Sequence, residues 1–225
     1  MTTFQRARSE EQRAQRRQAI LDTAGAMLTE LPVAQLSLNE LSRRVGLAKS
    51  NVLNYFESRE AVLLELLISE LESWTAELGA TLSTGVDPAA PLAERAGELR
   101  ETVIATLLAR PMFCTLISTQ AAVLEHNIST EVALAFKRSA AASYGELIRV
   151  IQISLPELGE DGAARFIAAA SLITGALWTH AHPADAILAA YQTDPALAPL
   201  RIEFEPALRD VLETLLRGLL VPWPA

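Results

Sequence analysis

Residues 37–61 read SLNELSRRVGLAKSNVLNYFESREA. Ser37 and Glu40 have the Ser-x-x-Glu spacing of a capping box, in which a hydroxyl and a carboxylate satisfy the free backbone amides of a starting helix. A short helix therefore opens at Ser37, turns Leu38, Leu41 and Val45 inward, and closes at Gly46, because glycine accepts the left-handed conformation that ends many helices. After a brief turn a second helix is predicted over about 48–56. On it Val52 and Phe56 lie one turn apart and pack towards Leu41, Val45 and Leu47, which leaves Lys49, Ser50, Asn51 and Asn54 facing outward. Asparagine bonds adenine bidentately, lysine donates to guanine or phosphate, and serine serves either, so this face has the chemistry of base edges. Two short helices about a glycine turn make a DNA-reading device when the first holds the second across a major groove. Without the preceding helix the same face is an ordinary polar surface.

Upstream, Ile20, Leu21, Ala24, Met27, Leu28 and Leu31 recur at helical spacing and predict an amphipathic helix over 10–30, stopped by Pro32. Downstream, Ser58 is placed to cap a long helix reaching about Leu82, before the Gly- and Pro-containing break at 84–91. Further helices are predicted at about 92–109, 112–124, 129–154, 160–181, 184–191 and 206–220, punctuated by Pro111, Pro156, Pro183 and Pro206. No stretch alternates with β-branched enrichment, so the fold class is all-α. The longest apolar run, Phe166 to Trp178, has 13 residues, short of the ~20 that span a bilayer. A buried helix is expected there, and no membrane partner.

The length suits a small module joined to a larger one, and a composition that is half apolar with few aromatics favours helices. Cys114 is the single cysteine, so no intrachain disulfide forms and a reducing cytoplasm is the expected compartment. The leader MTTFQRARSEEQRAQRRQ lacks the apolar centre of a secretory signal. The net charge of −8 is unevenly spread: residues 1–60 hold nine Arg/Lys against seven Asp/Glu, and residues 61–225 hold ten against twenty. Arg6, Arg8, Arg13, Arg16 and Arg17 therefore form either a phosphate-attracting end or a solvated leader.

Taken whole, residues 37–61 resemble the DNA-binding signature of the TetR family of transcriptional regulators, with the likeness extending over about 10–65. The matching features are Ser37 at the first helix start, Leu41 and Val45 inside, Gly46-Leu47 at the turn, then Tyr55-Phe56, Ser58, a basic residue and Glu60. The resemblance implies an N-terminal three-helix DNA-binding domain over 1–60, its motif at about 37–56, and a larger helical-bundle domain over 61–225 for effector binding and dimerisation. It implies that Ser37, Lys49, Tyr55 and Arg59 hold phosphates, that Ser50, Asn51 and Asn54 approach bases, and that Arg43 and Arg44 are further phosphate contacts. Two positions depart from the family pattern: Ser50 stands where glycine is frequent, and Leu53 where tyrosine is frequent. Leu53 either packs inward or touches a thymine methyl.

The family also implies a homodimer built as a four-helix bundle through about 160–181 and 206–220. Ala168, Ala169, Ala170, Leu172, Ile173, Gly175 and Ala176 allow close helix approach, and Leu208, Val211, Leu212, Leu215, Leu216 and Leu219 form an apolar stripe. The same pattern serves a monomeric core. A small apolar or amphipathic ligand enclosed by the middle helices is implied too. Trp74, Met112, Phe113, Cys114, His126, Asn127 and Trp178 are the candidate lining residues, each with ordinary packing as its alternative. Asn127 has a further alternative, capping the helix that starts near Ser129.

No GxGxxG, Walker-type loop, HExxH or GxSxG pattern supports an enzyme, so no catalytic residue is assigned. His180 and His182, even joined by Cys114, lack the ligands of a metal site, and no cofactor is expected. Cys114 has no cationic neighbour in sequence to activate it as a redox sensor. The reading is a repressor released from double-stranded operator DNA by a ligand. The alternatives are a helix-turn-helix protein that works through a protein partner and a helical-bundle enzyme; Lys49, Tyr55 and Arg59 favour DNA.

Overall fold

The computed structural model describes residues 3–221, with side chains from Glu10 onward. Arg6 and Arg8 of the basic leader therefore lie outside the described side chains. The described residues are helical without strands: α1 (Thr3–Glu30), α2 (Leu38–Val45), α3 (Lys49–Leu53), α4 (Arg59–Gly85), α5 (Leu92–Leu108), α6 (Pro111–Thr119), α7 (Thr130–Ser154), α8 (Gly159–Ala181), α9 (Asp185–Thr193) and α10 (Phe204–Leu220). Short 3-10 turns at Val33–Gln35, Pro156–Leu158 and Pro195–Leu200, and a π-helical turn at Gln120–Leu124, link them. Two compact units result, one running up to Ser69 and including Thr119–Lys137, the other made of Glu70–Ser118 and the chain from Arg138 onward.

In the first unit α1 buries Ile20, Leu21, Ala24 and Met27, α2 buries Leu41, and Val52 and Phe56 close the core. Leu38, Val45 and Leu47 stay partly exposed at its edge. The boundaries follow local chemistry. Ser37 Oγ accepts from the Glu40 amide at 3.2 Å, and Ser58 Oγ from the Ala61 amide at 3.0 Å. Gly46 ends α2 at φ 74°, where a side chain would be strained. The capping box at Ser37 is only half formed: the Glu40 carboxylate turns to Arg43 and Arg44 rather than back to Ser37, because two guanidinium partners outbid one amide. Asn127 does not cap α7. It sits at φ 58° in the preceding turn, while Ser129 Oγ accepts from the Val132 amide at 3.2 Å.

The second unit packs α10 against α8 and α5. Leu208, Leu212 and Leu216 of α10 are buried at helical spacing, as are Phe166 and Ile167 of α8 and Leu99, Val103, Ile104 and Leu107 of α5. Gly175 is consumed inside this unit: a Cβ there would lie 3.2 Å from Ile117 Cγ2 and 3.3 Å from Ser118 Cα, so α8 lies close on α6. Arg95, buried on α5, donates to the Ser154 carbonyl at 3.3 Å and pairs with Glu157, satisfying the C-terminal end of α7. Among the described residues the stretch Pro156–Ala181 is long and apolar enough to cross a membrane by length and mean hydropathy (1.2). Helix α8 packs on α10 with Phe166, Ile167 and Thr174 buried, but only 28 % of the most apolar window is buried, so the fully buried helix expected there is not formed within one protomer.

Arg209 on α10 reaches Glu101 on α5 at 2.7 Å, and with Arg100 it holds the Glu101 carboxyl down to about 2, against an ordinary 4.5. A carboxylate whose folded pKa is depressed stabilises the fold above its unfolded pKa and loses that contribution as the pH falls from 4.5 towards 2. Glu101→Gln should therefore lower the urea midpoint at pH 6, and the gap from the parent should narrow on acidification. With side chains 37 % and 45 % exposed, the pair contributes at most about 1 kcal/mol. A gap that stayed constant with pH would show that the ion pair contributes nothing.

Candidate nucleic-acid interface

The polar side of the helix-turn-helix is built from short-range constraints. Ser42 Oγ donates to the Asn39 carbonyl at 2.8 Å inside α2, and the Leu47 amide returns to the Ser42 carbonyl at 3.0 Å across the glycine turn. The chain then re-enters a helix at Lys49. That helix is shorter than the 48–56 the spacing predicts. After Leu53 its bonds tighten, the Tyr55 amide reaching Val52 O at 2.9 Å, as the last turn of a helix does when no further residues extend it.

Lys49, Ser50, Asn51 and Asn54 are exposed, and Tyr55 is half-buried. Among the described residues no hydrogen bond or ion pair engages the side chains of Lys49, Ser50, Asn51 or Asn54. Leu53 does not pack inward; it is 41 % exposed beside them. Val52 supplies the inward contact of that turn, so Leu53, one residue on, is carried to the solvent side.

The other cationic candidates are occupied in the free protein. Arg43 Nε donates to Glu40 at 2.9 Å, and Arg44 bridges Glu40 at 2.9 Å and Glu30 at 2.6 Å. Arg43, then Arg44, hold the Glu40 carboxyl down to about 2. Arg59 lies against Glu60 at 2.7 Å and donates to the Leu36 carbonyl at 3.3 Å. The turn before α7 docks beside it: Ser129 N donates to Glu57 Oε1 at 2.5 Å and Asn127 Nδ2 to Glu60 Oε2 at 3.3 Å.

The candidate ligand residues divide between the units. His126 and Asn127 are exposed in the first. In the second, Trp74 Nε1 donates to Thr106 Oγ1 at 3.0 Å, and its ring lies 5.5 Å from that of Phe113. Cys114 is buried beside them, its thiol donating to Leu107 O at 3.5 Å. Burial pushes that thiol up to about 12, where it carries no nucleophilic thiolate at neutral pH. Trp178 Nε1 donates to Thr115 Oγ1 at 2.9 Å, and its ring meets Phe204 edge-on at 4.9 Å and His182 at 4.1 Å. Met112 is partly exposed at the start of α6. Among the described residues no three His, Cys, Asp or Glu side chains come together as a metal site requires.

Sequence reasoning missed the partners of Arg13 and Arg17. Arg17 Nε donates to Glu65 Oε1 at 2.7 Å and Arg17 Nη1 to the Tyr55 carbonyl at 2.6 Å, while Arg13 Nη2 donates to the Asn54 carbonyl at 3.1 Å. A signal was present. Positions 13, 17, 20, 24 and 27 continue one helical stripe, so both arginines lie on the same side of α1 as Ile20, Ala24 and Met27.

Comparison with known proteins bears on these features. The tetracyclin repressor-like C-terminal domain family matches residues 68–222. No curated protein matches the chain. Among solved structures, a TetR transcriptional regulator from Rhodococcus sp. RHA1 superposes with a TM-score of 0.60 at 13 % identity, over 92 % of this chain and 96 % of that one. The TetR family repressor AlkX from Dietzia sp. strain DQ12-45-1b, implicated in biodegradation of n-alkanes, gives 0.53 at 13 % identity, covering 90 % and 94 %. The fatty acid degradation regulator FadR from Bacillus halodurans gives 0.52 at 15 %, covering 91 % and 94 %. At these identities the likenesses speak for the fold. The matched family spans well over half of the residues, and the chain belongs to the TetR family of DNA-binding, helix-turn-helix transcriptional regulators.

Proposed function

We propose that this regulator is a cytoplasmic repressor that grips double-stranded operator DNA as a homodimer and releases it when a small apolar or amphipathic ligand binds. The observation that carries the reading is the outer side of α3, where Lys49, Ser50, Asn51 and Asn54 are exposed with their polar groups uncommitted among the described residues. Ser50, Asn51 and Asn54 approach base edges, and Ser37, Lys49, Tyr55 and Arg59 hold phosphates. Arg43 and Arg44 swing from Glu40 to further phosphates. Residues 1–60 read DNA, and residues 61–225 hold the effector and the second copy.

One recognition helix reads only a few base pairs, so a useful site needs two copies on a two-fold axis. Two observations support α8 and α10 as their meeting surface. Only 28 % of the most apolar window in Pro156–Ala181 is buried within one protomer. Ala168, Leu172 and Ala176 form an exposed stripe along α8, and Val211, Leu215 and Leu219 of α10 are partly exposed. Repression follows because a bound dimer excludes polymerase without further contacts. Trp74, Met112, Phe113, Cys114 and Trp178, all in the second unit, are the proposed ligand contacts, and His126 and Asn127 of the first unit are left out of that set. Since FadR and AlkX are named for fatty acid degradation and n-alkane biodegradation, alkyl and acyl chains are the first compounds to screen for release.

Selection of bound duplexes from random DNA tests the reading; a purified protein with no preferred sequence at moderate salt would end it. Lys49→Ala should weaken binding to all sequences and reduce the salt slope by about 0.9 for one lost phosphate contact. An unchanged slope removes that role. If Leu53 meets a thymine methyl, replacing that thymine by deoxyuridine should weaken binding roughly fourfold, about 0.8 kcal/mol for one buried methyl-sized group. Leu53→Ala should be indifferent to the exchange, and a parent protein equally indifferent at every thymine of the site refutes the contact.

A further inference from the structure

We infer that Arg17 is a positioning residue for DNA reading: it holds the C-terminal end of the recognition helix in place instead of contacting the duplex. The inference rests on the reading that α3 enters a groove. Helix α3 has five residues, far fewer than the ~12–15 needed for a helix to persist alone in water. Its pitch must therefore be imposed from outside. At its N-terminal end the Gly46-Leu47 turn does this. At its C-terminal end the carbonyls of Asn54 and Tyr55 lack helical partners, and two arginines of α1 supply the donors.

Arg17 Nη1 donates to Tyr55 O at 2.6 Å, and its guanidinium carbon lies 4.1 Å from the centroid of the Phe56 ring. Arg13 donates to Asn54 O at 3.1 Å and lies 5.3 Å from the centroid of the Tyr55 ring. A cation at this end also suits the negative pole of the helix. The Arg17 guanidinium is itself fixed, since Nε donates to Glu65 Oε1 at 2.7 Å and Nη2 pairs with Glu65 Oε2. This two-point grip needs the planar fork of arginine, which lysine does not reproduce. With Nε, Nη1 and Nη2 all engaged, Arg17 is withdrawn from the phosphate-attracting leader, and Glu65 on α4 becomes part of the DNA-reading apparatus without touching DNA.

The test uses the full-length protein, the duplex selected from random DNA, and a scrambled duplex of equal length. Arg17→Lys should lower affinity for the selected duplex roughly tenfold, the scale of a charge-assisted hydrogen bond, while affinity for the scrambled duplex and the salt slope stay within error of the parent. Glu65→Gln should act in the same direction. The double variant should be no worse than Arg17→Lys alone, since both substitutions release one grip. Hydrogen exchange should quicken over residues 49–57 in each variant without DNA.

A variant that merely unfolds in part loses both duplexes by the same factor, and that result overturns the positioning role. Equal losses with the salt slope reduced by about one would make Arg17 a phosphate contact instead. Unchanged selectivity with unchanged exchange would show that the grip is dispensable. Failure of the underlying reading is recognisable separately, because the parent protein itself would then show no preference between the duplexes.

Discussion

Leu172→Arg should yield a monomer that no longer holds a two-half-site operator. Leu172 is 77 % exposed on α8, between Ala168 and Ala176 on the same stripe. A leucine so placed contributes little to the protomer's own core, so the substitution should leave folding intact. In a dimer packed through α8 and α10, however, each copy would bring an unpaired guanidinium into an apolar seam, and burying such a charge costs several kcal/mol. Dissociation relieves that cost. Operator affinity then falls by about 10²–10⁴, because the second half-site is no longer bound intramolecularly, while affinity for an isolated half-site is preserved. Light scattering coupled to gel filtration gives the mass, and full-site against half-site titrations give the affinities. A dimer mass with full operator affinity would remove α8 from the interface.

Val52→Asp should abolish operator binding while leaving the dimer mass unchanged. Val52 is fully buried (0 % exposed) and is the one residue of α3 that enters the core. A carboxylate there must either stay ionised without a partner or take up a proton, and in both cases the recognition helix loses its inward anchor. The expected cost is about 3–5 kcal/mol, the range of severe core substitutions. It should also depend on pH with a definite sign. Burial raises the folded pKa of the introduced carboxyl above its unfolded value, so the destabilisation is smallest in acid and grows as the pH rises through the unfolded pKa. The residues proposed for dimerisation lie in the second unit, and Val52 in the first. Operator binding that survived the substitution at pH 8 would mean that α3 does not need its core contact to read DNA.

Helix positions were legible wherever a local signal sets them. Ser37, Gly46, Ser58, Pro111 and Pro156 each mark a helix end or start by the chemistry of one residue and its near neighbours. At two of the boundaries that moved, a distant contact or a change of helix type accompanies the shift. The end of α3 is held by arginines about forty residues upstream, and the segment predicted as one helix over 112–124 changes to π-helical winding from Gln120. Leu53 was ambiguous because apolar identity alone does not say which side of a five-residue helix a leucine occupies.

The order of residues alone makes this an all-helical chain carrying a helix-turn-helix, since helical periodicity, caps and a glycine stop act within a few residues of one another. Packing in three dimensions assigns the polar groups: it leaves Lys49, Ser50, Asn51 and Asn54 open while committing Arg17 to Glu65 and Tyr55, 48 and 38 residues away. Such pairings depend on how α1 is laid against the residues around α3, and no spacing rule along the chain encodes an approach between segments so far apart.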